Sequence, residues 1–174
     1  MSHAQRPDPS EHLPYFSRYV DLVPEGDIVQ MMETEFARVL SRLSALTPAQ
    51  ARYRYAEGKW SVTEVVGHIC DTERVFTYRA LHAARRDPSP LPGFDQAQWA
   101  GEVDYASRDL PDVLNEWRTV RAASISLFGN LSAEAWSRRA TVSGNALTPR
   151  ACAYIIVGHV LHHLKGFEND YGVL

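Results

Sequence analysis

The chain has 174 residues, a length that fits one domain with a substantial buried core. Hydrophobic residues make up 45% and charged residues 22%, which excludes disordered, collagen-like and disulfide-stapled classes. Lys and Arg total 18 against 21 Asp and Glu, and the resulting net charge of −3 gives no global electrostatic reason to seek nucleic acid or an anionic membrane.

Helical periodicity begins over residues 27–46, where Ile28, Met31, Met32, Phe36, Val39, Leu40 and Leu43 recur at three-and-four spacing. Thr47-Pro48-Ala49-Gln50 reads as a capping-box start for a short helix, with Pro at the first helical position. The second long helix opens at Ser61-Val62-Thr63-Glu64, where Ser61 caps the free amides and Glu64 reaches back. Val62, Val65, Val66, Ile69, Phe76 and Ala80 form its stripe, which ends near Arg86 before Pro88. Residues 88–107 read as a loop rich in Pro, Gly and Asp, packed onto the body through Phe94, Trp99 and Tyr105. The third long helix is expected from Asp109 to about Gly129, followed by a short turn over residues 132–136. Residues 140–147 read at most as a short extended stretch, since no period-2 run or hairpin dipeptide stands out. The fourth helix starts at Thr148-Pro149 and runs to about Asn169, before Gly172. Four such amphipathic helices predict an all-α fold, a four-helix bundle.

No apolar run approaches the roughly 20 residues that span a bilayer, and the polar residues 1–10 carry no signal-like apolar region. Cys70 and Cys152, far apart and only two, indicate no disulfide framework. A cytoplasmic, single-domain protein is the expectation.

The seven histidines are the most informative residues. His3 and His12 in the polar N-terminal arm, and His82 near the end of the second helix, are expected to be solvated. His68 lies on the second helix, and His159, His162 and His163 on the fourth. On a helical wheel His159 and His163 stack on the inward face with Cys152, Ile156 and Phe167, while His162 turns toward Gly158, Lys165 and Asn169. Two imidazoles at i and i+4 can each give a lone pair to one divalent ion, and His68 can complete a set of three nitrogens. Three protein ligands leave a position open, as in catalytic metal sites. The competing reading is core histidines satisfied by hydrogen bonds. Val160 stands where an HExxH zinc protease carries its Glu, so that class is excluded.

Glu73 falls in the apolar stripe of the second helix, where a carboxylate must be paired, protonated or ligating. It reads either as a base or as an outer partner orienting a ligand histidine, or else as half of a buried ion pair with Arg118 or Arg121. Asp71 reads toward solvent or a partner chain, and Cys70 faces away from His68. Cys152 sits about 10 Å along the axis from His159, too far to share an ion. Trp60 and Trp99 flank the second helix and the long loop, where they either line a pocket mouth or simply pack. No GxSxG, P-loop or GxGxxG is present, and no basic patch suits nucleic acid.

Trp60-Ser61-Val62-Thr63-Glu64, His68 and Asp71-Thr72-Glu73-Arg74 resemble the second-helix signature of the DinB/YfiT-like superfamily. Ala153-Tyr154-Ile155-Ile156-Val157-Gly158-His159, through His162-His163, resembles its last-helix signature. Tyr78-Arg79-Ala80, Pro90-Leu91-Pro92-Gly93-Phe94-Asp95 and Leu22-Val23-Pro24-Glu25-Gly26-Asp27 are similar to the YfiT-like branch, so the likeness extends over residues 15–170. The resemblance implies a four-helix bundle with a three-histidine site for zinc, nickel or a similar divalent ion. Carried over position by position, the ligands are His68, His159 and His163. It implies one DinB-like domain over residues 1–174, with residues 1–26 an arm packed on or preceding the bundle, and a homodimer acting on a small-molecule substrate. Transfer of a low-molecular-weight thiol to an electrophile is the leading expectation, with metal-dependent hydrolysis the alternative. A rival of another class is a non-catalytic, stress-related metal-binding or dimerisation module. A sealed site, closed by a fourth protein ligand such as Glu73 or His162, would favour that rival.

Overall fold

Local caps fix where the helices begin. The computed structural model describes residues 5–174, and His3 lies outside the described residues. Two 3-10 turns, Pro9–Glu11 and Pro14–Phe16, lead into the one-turn helix α1 (Ser17–Val20). Asp27 accepts the Val29 and Gln30 amides at the start of α2 (Ile28–Ser44). Capping boxes at Thr47/Gln50 and Ser61/Glu64 open α3 (Pro48–Arg52) and α4 (Val62–Ala84). The stretch expected to be a loop contains α5 (Gln96–Glu102), whose first amides bond Asp95, and a 3-10 turn at Tyr105–Ser107. α6 (Leu110–Gly129) carries Pro in its first turn, and after the 3-10 turn Ala135–Ser137 the chain forms β1 (Ala140–Val142) and β2 (Asn145–Leu147). Thr148 then caps α7 (Pro149–Asn169) by accepting the Ala151 amide.

α4 packs against α6 and α7, and α2 packs against the same two, so the long helices close a ring in the order α2, α6, α4, α7. Helices consecutive in sequence, α2 with α4 and α6 with α7, therefore face each other across diagonals. Two apolar clusters fill the ring. One gathers Ile28, Met32, Phe76, Phe128 and Ile155, and the other Val39, Leu43, Val66, Ile69, Trp117 and Leu164. α1 crosses α7 at Gly158, where a Cβ would come within 2.0 Å of the Tyr19 carbonyl oxygen. Glycine permits that approach, which carries Tyr19 over the middle of α7. No helix among the described residues is long and apolar enough to cross a membrane.

Three expectations are corrected. Residues 140–147 form a true antiparallel hairpin, with Ala140 opposite Leu147 and the turn residues Ser143 and Gly144 at φ 48° and 77°. Both turn residues are left-handed, as the twist-matched two-residue turn requires. Leu91 pairs with β1 from the other side, its amide donating to Thr141 O (2.8 Å) and its carbonyl accepting from Ser143 N (2.9 Å). His12 is buried, with Nδ1 2.8 Å from the Leu13 carbonyl oxygen. His82 is buried too, with Nε2 3.4 Å from Asp87 just beyond the end of α4.

Candidate metal centre

α4 and α7 lie side by side, and their facing stripes bring three imidazoles together. His68 sits in the second turn of α4, His159 at the middle of α7 and His163 one turn further on. The His159 Nε2 lies 3.1 Å from the His68 Nε2 and 3.1 Å from the His163 Nε2. His68 and His159 are buried and His163 is half-buried.

Burial disfavours protonation of His68, pulling its pKa down to about 4. Burial first, and then the neighbouring imidazoles, hold His159 and His163 well below the ordinary histidine value. All three rings are therefore neutral at pH 7. A neutral imidazole nitrogen carries either one proton or one lone pair, so the His159 Nε2 cannot make two good hydrogen bonds at once. A single cation satisfies all three lone pairs. With metal–nitrogen bonds of about 2.05 Å, two ligand nitrogens lie about 2.9 Å apart at a right angle and about 3.3 Å apart at a tetrahedral one. The observed 3.1 Å lies between these limits, so the residues fit an ion.

Among the described residues, no fourth His, Cys, Asp or Glu joins the group. Glu73 takes the ion-pair alternative. Its Oε1 accepts from Arg121 Nε (2.8 Å), while its Oε2 accepts from Arg121 Nη2 (2.8 Å) and Trp117 Nε1 (3.0 Å). Both carboxylate oxygens are thus engaged by Arg121 and Trp117. His162 is exposed and packs its ring on Tyr19, with centroids 5.4 Å apart. Cys70 and Cys152 are free and buried, and burial pushes both thiols up. Asp71 is half-buried, accepting from the Tyr105 hydroxyl and from Arg74.

Aromatic rings brace the imidazoles. Trp60 lies 5.0 Å from the His68 ring, and Tyr19 meets His159 edge-on at 5.2 Å. Trp99 packs on Phe94 and remains largely exposed. Two clefts flank the triad. A largely apolar cleft of ≈ 270 Å³ reaches His159 and is walled by Phe16, Phe76, Phe94 and the hairpin, with Thr72, Arg79, Gln96, Ser143 and Asn145 among its polar groups. A more polar cleft of ≈ 410 Å³ reaches His163 and carries Lys59, Lys165, Asn169 and Asp170 beside Trp60 and Tyr171. Tyr19, Thr72 and Arg79 were not singled out from the sequence as site residues. The available signal was spacing, since Thr72, Phe76 and Arg79 continue the His68 stripe of α4 at steps of four, four and three.

A family model described as the DinB superfamily matches residues 31–165. The chain belongs to the DinB superfamily. A protein of Oceanobacillus iheyensis described as a “putative metal-dependent hydrolase” is 32% identical over 77 residues, 44% of each chain. A protein of the same description from Halalkalibacterium halodurans is 31% identical over 87 residues, 48% of this chain and 50% of the relative. The match thus spans half or less of these curated relatives. Among solved structures, YfiT from Bacillus subtilis, described as a probable metal-dependent hydrolase with an unusual four-helix bundle topology, superposes with a TM-score of 0.71 at 18% identity. The superposition covers 92% of this chain and 87% of YfiT. A mycothiol-dependent maleylpyruvate isomerase superposes with a TM-score of 0.68 at 14% identity, covering 89% of this chain and 67% of the isomerase. At these identities the superpositions establish the DinB/YfiT-like four-helix fold.

Proposed function

We propose that this chain is a divalent-metal-dependent enzyme that transfers a low-molecular-weight thiol to a small electrophile, with His68, His159 and His163 as the metal ligands. The observation that carries the reading is the position of the triad between two separate clefts, one apolar at His159 and one polar at His163. A two-substrate reaction needs two approaches to one centre. The more polar cleft, with Lys59, Lys165, Asn169 and Asp170, suits a hydrophilic thiol, and the apolar cleft suits the body of the electrophile. Zinc and nickel both accept imidazole donors. A divalent ion on three neutral imidazoles keeps its charge and lowers the pKa of a thiol or water in its remaining position. Trp60 and Tyr19 hold two of the imidazole planes in place by packing against them.

The mycothiol dependence of one structural neighbour supports a thiol cosubstrate. Hydrolysis is the second reading, favoured by the descriptions of the curated relatives and of YfiT. The lack of a fourth ligand among the described residues speaks against a sealed, non-catalytic site. The resemblance also supports a homodimer as part of the proposal, and the composition supports a cytoplasmic location.

The test begins with the metal content of untagged protein purified without chelator. Wild type is expected to carry a single divalent ion per chain and His159→Ala none. No metal in either protein, even after incubation with zinc or nickel, overturns the reading. Thiol consumption is then followed with a panel of low-molecular-weight thiols and a small electrophile, and is expected to require the metal. Ester cleavage without thiol consumption would move the assignment to hydrolysis.

A further inference from the structure

We propose that the apolar cleft beside His159 is a monocarboxylate-binding site, in which Arg79 anchors the acid group of a small organic acid with an aryl or alkyl body. This deepens the proposed enzymatic reading by naming the class of the electrophilic substrate. Arg79 is 5% exposed and lines the cleft. Of its five N–H groups, one is donated to another described residue, from Nη2 to the Pro92 carbonyl at 3.1 Å. The guanidinium stacks over Phe76 (5.0 Å) and Phe94 (5.5 Å). Among the described residues no carboxylate stands within ion-pair distance of it, whereas the other buried arginine, Arg121, has Glu73. A buried cation without a counter-charge is costly, so the fold keeps here a charge that it does not itself neutralise.

Thr72 supplies an independent observation. It is 4% exposed and lines the same cleft, and its hydroxyl has no hydrogen-bond partner among the described residues. It lies one turn from His68 and two turns from Arg79 on the same face of α4. Long helical side chains lean toward the N-terminus, and the guanidinium of Arg79 does so over Phe76, toward Thr72. An elongated ligand held by its acid group at Arg79 would thus pass the Thr72 hydroxyl on its way to the triad. The remaining walls select further. With the His159 imidazole neutral, Arg79 is the one cationic side chain lining the cleft among the described residues, and no Asp, Glu or Lys joins it. One guanidinium among Phe16, Phe76, Leu147 and Ile155 suits a singly charged acid with an apolar body rather than a polyanion such as phosphate.

The test is calorimetric titration of zinc-loaded, full-length protein with benzoate, phenylacetate, 3-phenylpropionate and hexanoate, each paired with its uncharged amide. Wild type is expected to bind at least one acid about tenfold or more tightly than its amide, the scale of a hydrogen-bonded charge. Arg79→Met should abolish that preference, Arg79→Lys should keep part of it, and Thr72→Val should weaken acid binding less than Arg79→Met does. Circular dichroism melts identify any variant that fails to fold, and Arg79→Lys then carries the comparison. His159→Ala should retain the acid preference, which separates anchoring at Arg79 from direct ligation of the ion and keeps this test distinct from failure of the metal reading. Equal binding of acid and amide, or no binding of any probe, overturns the proposal. So does a preference that survives in Arg79→Met or vanishes in His159→Ala, or displacement of the acid by equimolar inorganic phosphate.

Discussion

A carboxylate on the apolar stripe of a helix has to find a cation or a proton, and Glu73 finds a cation. Its bidentate partner Arg121 also donates Nη1 to the Met32 carbonyl at 3.1 Å, so one buried pair joins α4, α6 and α2. The side chains are 1% and 2% exposed, which leaves no water to take over from a missing partner. Removing one charge from a buried pair costs about 3–5 kcal/mol, because the other charge stays behind. Glu73→Gln is accordingly expected to lower the urea-unfolding free energy by that amount while the folded variant still binds a single ion per chain. A variant that loses metal but keeps its stability would return Glu73 to the metal site. Sequence spacing was enough to place this carboxylate inward and to name Arg121 as one of two partners. It could not choose between Arg118 and Arg121, because the choice depends on how α6 is rotated against α4. The place of Arg79 in the cleft was not legible for a similar reason, since an arginine within an amphipathic helix is ordinary until its lack of a neighbouring carboxylate can be seen.

At the scale of elements, the long helices were legible because their caps are local. Asp27, Ser61 and Thr148 each bond an amide two or three residues ahead, so their signals need no tertiary context. α5 is capped just as locally by Asp95, but its seven residues carry too little periodicity to register, and the hairpin has no comparable signal. The strands have three residues each, too short for alternation to register, and their turn is Ser-Gly rather than the stronger Asn-Gly or Asp-Gly. The crossing of α1 over α7 was not legible either, because Gly158 reads in sequence only as a weak helical position. It makes a sharp prediction. Gly158→Ala should gain about 1 kcal/mol from helix propensity, yet its Cβ would meet the Tyr19 carbonyl at 2.0 Å, and that atom is backbone. Overpacking of this kind costs about 1–3 kcal/mol and forces displacement of the neighbour. The variant should therefore unfold at lower urea than wild type and release its metal faster to a chelator, since Tyr19 braces His159. Equal stability would mean that α1 is free to lift.

In the whole molecule, polar ties recur at each seam of the ring. Glu73 and Arg121 join α4 to α6, Arg121 reaches α2, Arg42 and Glu168 join α2 to α7, and the imidazoles join α7 to α4. That ring order depends on which helices cross the diagonals, which no single helix encodes. Outside the ring, the N-terminal arm supplies Phe16 and Tyr19 to the apolar cleft, so its attachment bears on the site. Arg6 closes the arm on itself through the Val20 and Val23 carbonyls, both at 2.6 Å, and Glu11 ties it to the start of α7 through Thr148 (2.7 Å) and Arg150 (3.1 Å). Burial would raise the Glu11 carboxyl, but hydrogen bonds from Arg150, Thr148 and the Asp8 amide outweigh it, and the pKa lies below the ordinary 4.5. A group whose pKa is depressed by folding stabilises the native state above its unfolded value, and that stabilisation is lost as pH falls through the native one. Glu11→Gln should thus cost about 2 kcal/mol at pH 7, the scale of hydrogen bonds to a charged acceptor. The gap between variant and wild type should close below pH 4.5, where the wild-type carboxylate takes up its proton. Urea midpoints measured stepwise from pH 7 to pH 3 check the sign, and a gap that stays constant across that range would mean that the charge of Glu11 does not hold the arm.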